Sequence, residues 1–149
     1  MRNAQLELTP LLVDSLYTEA MLLADEARAC FDRSFDAGHL SPEISVAFSC
    51  ESLKVTTRLM HSIAWLLNQK ALRAGEITES EARNETNNLG YAPASDGPLV
   101  LQFPPETQAL ISASEELYGR LQRLSEKMRA TVPQASEPHA MRDRLRASF

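Results

Sequence analysis

Glu51-Ser-Leu-Lys-Val-Thr-Thr-Arg-Leu-Met-His-Ser-Ile-Ala-Trp-Leu-Leu-Asn-Gln-Lys-Ala71 reads as a helix with apolar residues on two faces. Val46, Cys50, Leu53, Thr57, Met60, Ala64, Leu67 and Ala71 follow one another at alternating spacings of four and three, the pattern of a coiled-coil seam. A second stripe of Phe48, Val55, Leu59, Ile63 and Leu66 lies well around the same cylinder. A helix with two apolar faces must be covered twice. One arrangement gives the seam to a third helix and the second stripe to a first helix. The other pairs the second stripe with its own copy across a two-fold axis.

The segments on either side supply the neighbours. Thr9-Pro10 is a helix start, with threonine as N-cap and proline where its missing N–H is harmless. Val13, Leu16, Ala20, Leu23, Ala27 and Phe31 then recur at helical spacing, predicting a helix from Pro10 to about Asp36. Gly38 is its natural left-handed stop, and Ser41-Pro42 starts the central helix, which runs to Ala74 with Gly75 as terminator. Thr78-Glu-Ser-Glu81 is a capping box able to start a short helix to about Asn84. From about 85 to 105, asparagines, glycines and prolines predict a long loop without regular structure, pinned by Tyr91, Leu99, Val100, Leu101 and Phe103. A third long helix begins at Pro105 and ends near Thr131, with Leu110, Ser114, Leu117, Leu121, Leu124 and Met128 as a seam matching that of the central helix. The expected architecture is an all-α, antiparallel three-helix bundle over residues 1–132 followed by a tail over 133–149. That tail is either a solubilising end or, through Met141, Leu145 and Phe149, a short docking helix.

Composition narrows the function. A net charge of −5 over 149 residues leaves no basic footprint for a nucleic-acid partner. The longest purely apolar run, Ile63 to Leu67, is far short of a membrane span, and residues 1–8 lack a secretory signal, so a cytoplasmic protein is expected. Cys30 and Cys50 are read as buried free thiols. With His39, His61 and His139 scattered, no metal site is expected. The acidic pairs Asp25/Glu26, Glu79/Glu81 and Glu115/Glu116 are sequence neighbours that cannot face one another on a helix, and all five glycines are isolated, so neither an acid/base pair nor a phosphate loop is present. No enzyme activity and no cofactor are expected.

Trp65 stands on a strip otherwise made of Glu51, Lys54, Arg58, His61 and Gln69. Either the loop or the third helix covers the indole, or the strip is a partner-binding surface with tryptophan beside arginine as its anchor.

Glu51-Ser52-Leu53, Thr56-Thr57-Arg58-Leu59-Met60, Ala64-Trp65-Leu66-Leu67 with Gln69, and Gly75-Glu76 resemble the signature helix of the RcdA family of alphaproteobacteria, regulators of CtrA degradation. Leu121-Gln122-Arg123-Leu124 resembles the family more weakly. The resemblance implies a non-enzymatic, dimeric helical adaptor for the ClpXP protease in the cell cycle, with ClpX, a CpdR-like adaptor and substrates such as CtrA as partners. It favours the two-fold arrangement of the second stripe. The reading from another class is a self-associating scaffold or ligand-binding regulator with no link to proteolysis.

Overall fold

A computed structural model of the chain describes residues 9–36, 41–82 and 88–130. Three long helices form the body: α1 (Pro10–Asp36), α2 (Pro42–Arg73) and α5 (Pro105–Ala130). Two single turns, α3 (Glu79–Ala82) and α4 (Gly97–Val100), lie in the connection between α2 and α5. The all-α bundle expected from the sequence is therefore present. Among the described residues there are five helices: the three long ones, the short one expected at the Thr78 box, and one not expected, where the Asp96-Gly-Pro segment nucleates a turn.

Local chemistry sets the ends. The Thr9 Oγ1 accepts from the Leu12 N–H at 3.2 Å, and the Ser41 Oγ from the Ile44 N–H at 3.4 Å, each satisfying one of the free donors of a first turn. Gly75, at φ 74°, ends α2 in the left-handed region open to glycine. Its N–H bonds the Leu72 carbonyl at 3.2 Å, and the Glu76 N–H bonds the Ala71 carbonyl at 2.9 Å, a Schellman termination. At α3 the capping box closes in both directions: Glu81 N–H to Thr78 Oγ1 at 3.1 Å and Thr78 N–H to Glu81 Oε2 at 3.2 Å. α4, inside the segment read as structureless, is capped by Asp96 Oδ1 accepting from the Leu99 N–H at 3.4 Å. Gly38, Asn84 and the tail fall outside the described residues.

The core lies among α1, α2 and α5. Val13, Leu16, Ala20 and Ala27 of α1 meet Phe48, Val55, Leu59 and Leu66 of α2, and Leu110, Ile111, Leu117 and Leu121 of α5 close the third side. Phe48 stacks edge-on between Phe31 and Phe103, at centroid distances of 5.1 and 5.4 Å. The core faces of α1 and α5 are those that the spacing predicts.

On α2 the outcome divides. Phe48, Val55, Leu59 and Leu66, together with half-buried Ile63, face inward within one subunit, as the first of the two expected arrangements has it, so this stripe is core and not the surface for a second copy. The predicted seam for the third helix points the other way: Val46, Leu53, Met60 and Leu67 are 66, 67, 63 and 46% exposed. Cys50 is also exposed, whereas Cys30 is buried against Thr107 Oγ1 at 3.5 Å. The physical reason is angular. At 100° per residue the seam stands on the side of α2 opposite Val55 and Leu66, and α5 packs on the inner side beside α1. Of the loop side chains expected to pin the connection, Phe103 is buried and Val100 half-buried, while Tyr91, Leu99 and Leu101 are exposed.

Candidate functional site: a polar groove under a strap

The strip Glu51, Lys54, Arg58, His61, Trp65 and Gln69, read as a possible partner surface, lies under other parts of the chain. Glu51, Arg58 and Trp65 are buried, and Lys54, His61 and Gln69 are half-buried. Ser114 of α5 reaches Arg58, and a non-helical segment, residues 88–96, which we call the strap, meets Glu51, Arg58 and His61.

Arg58 is the centre of this arrangement. Its Nη1 donates to Ser114 Oγ of α5 at 3.3 Å, and its Nη2 donates to the Pro93 carbonyl at 3.0 Å and to Ser95 Oγ at 2.7 Å. A guanidinium taken out of water needs such fixed acceptors. Two turns N-terminally, Glu51 Oε1 accepts from the Asp96 N–H at 3.0 Å and from Lys54 Nζ at 2.9 Å. Glu51 Oε2 is buried with no hydrogen-bond partner among the described residues. At the strap's other end the Tyr118 hydroxyl donates to the Gly90 carbonyl at 2.6 Å and accepts from the Ala92 N–H at 3.0 Å. Gly90 lies against His61: a Cβ there would stand 1.6 Å from the imidazole Nδ1, so only glycine fits while that ring keeps its place.

The Glu51 carboxyl is subject to opposing influences. Burial raises its pKa, but the neighbouring Ser95 hydroxyl, the Asp96 N–H and Lys54 outweigh burial and hold it below the ordinary 4.5. A carboxyl with a depressed folded-state pKa stabilises the fold above its unfolded-state value, and that contribution is lost as pH falls through the folded value. Acidification below about 4.5 should therefore loosen the strap before the bundle. Amide exchange at Asp96, measured from pH 6 to pH 3 after correction for intrinsic rates, should show protection falling over that window in the wild type. In Glu51→Gln the dependence should be flat; a wild-type profile equally flat would exclude Glu51 as the anchor.

Trp65 belongs to the core cluster at 4% exposure. Of the two readings of this residue, the geometry supports the covered one. Trp65→Ala should cost about 3–5 kcal/mol of subunit stability, as truncation of buried aromatics does, which is a melting temperature lower by roughly 10 °C for a chain of this size. Loss of partner binding with an unchanged melting temperature would reverse that assignment.

Elsewhere the polar contacts are peripheral. Arg33 pairs with Glu106 at 2.7 Å, Lys70 with Asp14 at 3.2 Å, and Arg120 with Glu19, all with exposed or half-exposed side chains, so each adds little. A shallow groove of about 440 Å³ between α1 and α5 is lined by Leu23, Ala29, Cys30, Leu110 and Ala113. Its polar rim is Glu26 and the Arg33–Glu106 pair, with no convergent nucleophile and base. Among the described residues no three histidine, cysteine, aspartate or glutamate side chains gather as metal ligands, and no helix is long and apolar enough to cross a membrane.

The described residues thus form a helical bundle with an apolar outer stripe on α2 and a polar network that ties the strap to α2 and α5. A family model described as a protein of unknown function, DUF1465, matches residues 4–149, and the chain belongs to that family, the RcdA family. Among solved structures it is similar to the crystal structure of RcdA from Caulobacter crescentus CB15, with 31% sequence identity and a TM-score of 0.63 over 78% of this chain and 90% of that one. No curated protein matches.

Proposed function

We propose that this protein is a non-enzymatic adaptor of the RcdA kind: a cytoplasmic helical homodimer that brings regulatory proteins such as CtrA to the ClpXP protease, together with a CpdR-like adaptor. An adaptor needs separate surfaces for protease assembly and cargo, and raises the effective concentration of one near the other without chemistry of its own. The observation that carries the reading is the 31% identity with RcdA across most of both chains. It is supported by the exposed α2 stripe.

The homodimer forms through that stripe rather than through Phe48 and Leu66. Val46, Leu53, Met60 and Leu67 recur every seven residues with the smaller Cys50, Thr57 and Ala64 between them. Four large apolar side chains in one line along a 32-residue helix are what a self-complementary helix pair uses.

The test is a reconstituted degradation assay with ClpXP, a CpdR-like adaptor and candidate cell-cycle regulators, with and without this protein. Faster loss of at least one regulator supports the adaptor. Unchanged rates for all of them, with no capture of ClpX or of the priming adaptor, favour instead a scaffold unconnected to proteolysis.

A further inference from the structure

The strap is held in the manner of a bound peptide. Within seven residues four main-chain groups are read by side chains of α2 and α5: the Gly90 carbonyl and Ala92 N–H by Tyr118, the Pro93 carbonyl by Arg58, and the Asp96 N–H by Glu51. Of its side chains, Ser95 Oγ accepts from Arg58 at 2.7 Å and Leu89 packs against the core cluster. Tyr91, Pro93, Ala94 and Asp96 point to solvent, Ala92 is the one fully buried apolar residue, and Leu89 and Ser95 are half-buried. A segment with so little apolar burial opens at far lower free energy than the helices beneath it.

We propose that the groove between α2 and α5 is a peptide-binding groove that the strap occupies in cis, and that its partner is an unfolded, extended segment of another protein. Main-chain recognition accepts many sequences, as in strand-addition complexes, while pockets at fixed positions select among them. Here two positions select. The residue over His61 must be glycine, and the residue two further on must be as small as Ala92. At the Glu51 end the strap offers the Ser95 hydroxyl and the Asp96 N–H to the buried carboxyl, so a partner competes there by bringing donors at the same two positions. This holds whether or not the captured segment is destined for a protease.

Because the strap competes in cis, the apparent affinity for a peptide in trans is reduced by the fraction of molecules whose groove is free. Gly90→Ala places a methyl in the His61 ring and lifts the strap; His61→Ala in the same chain gives the methyl room and lets it return. The probe is a fluorescent peptide with the sequence of residues 88–96, and its reversed sequence is the control. We expect Gly90→Ala to bind the probe roughly tenfold or more tighter than the wild type, the double variant to fall back toward the wild type, and Tyr118→Phe in the Gly90→Ala chain to weaken binding. The reversed peptide should bind none of them. In the unaltered protein, the Ala92 and Asp96 amides should exchange well before the core amides of α2 and α5, a measurement that stands even if a variant fails to fold. Exchange of these two amides together with the core, or equal probe binding by folded wild type and Gly90→Ala, overturns the proposal.

Discussion

Arg58→Ala should detach the strap and lower subunit stability by about 3 kcal/mol, moving the urea midpoint down by roughly 1–2 M. Three effects add to that figure and one opposes it. The guanidinium's bonds to Ser114 Oγ, the Pro93 carbonyl and Ser95 Oγ are lost, and hydrogen bonds to a charged group are among the stronger ones. The buried stem leaves a void beside α5. Glu51 loses the Asp96 N–H that the strap supplies. Against these stands the relief of a cation no longer held out of water, which keeps the total below the sum of the bonds. Arg58→Lys should fall between, since an ammonium can neither span two strap acceptors nor reach Ser114 with a second fixed donor. Urea unfolding of the three proteins side by side decides it. A change under about 0.5 kcal/mol for Arg58→Ala, the range of ordinary surface substitutions, would mean that the network holds nothing.

The same residue explains what the sequence could and could not disclose. The ends of the helices are written locally, in Thr9-Pro10, Ser41-Pro42, Thr78 to Glu81 and Gly75, because caps are chemistry between residues three to five apart. The inner faces of α1 and α5 are equally legible, since each carries a single apolar stripe. On α2 two stripes compete, and helical period alone does not say which one finds a neighbour in the same subunit. Arg58 and Glu51 tilt that choice the wrong way: in sequence they mark a solvated strip, and in the fold they are buried because a segment some 40 residues downstream supplies their partners. Trp65, an aromatic within that strip and buried in the fold, is the signal in the sequence that the strip faces inward. The strap's path depends on contacts at Gly90, Pro93 and Asp96 that no local pattern announces. The family letters at Glu51 to Gln69 register the outcome, since the side chains that resemble RcdA include those that hold the strap.

The largest effect on assembly should come from Leu53→Glu with Met60→Glu, which we expect to convert the proposed dimer wholly to monomer. In a two-fold interface each substitution acts twice, and an apolar side chain of this size contributes about 1.5–3 kcal/mol when fully buried. Four lost side chains amount to about 6–12 kcal/mol, the scale of a micromolar to nanomolar dimer, and the four carboxylates forced toward one another add repulsion to that loss. The subunit itself should be untouched, because Leu53 and Met60 are 67 and 63% exposed and make no core contact. The wild type should sediment at twice its 16.6 kDa chain mass across the concentration range, and the double variant at once. The melting curve of the variant's monomer should keep its cooperativity. Val55→Glu, on the opposite face of the same helix, should instead unfold the bundle, separating an interface from a core. Orientation is readable from thiols. Thr57 sits at the middle of the stripe, so in an antiparallel pair Thr57→Cys oxidises to a cross-linked dimer while Cys50 faces Ala64; in a parallel pair Cys50 cross-links to its own copy. A wild type that is monomeric at every concentration, or a double variant that remains dimeric, would remove the α2 stripe as the interface and leave its exposed leucines and methionine for a different partner.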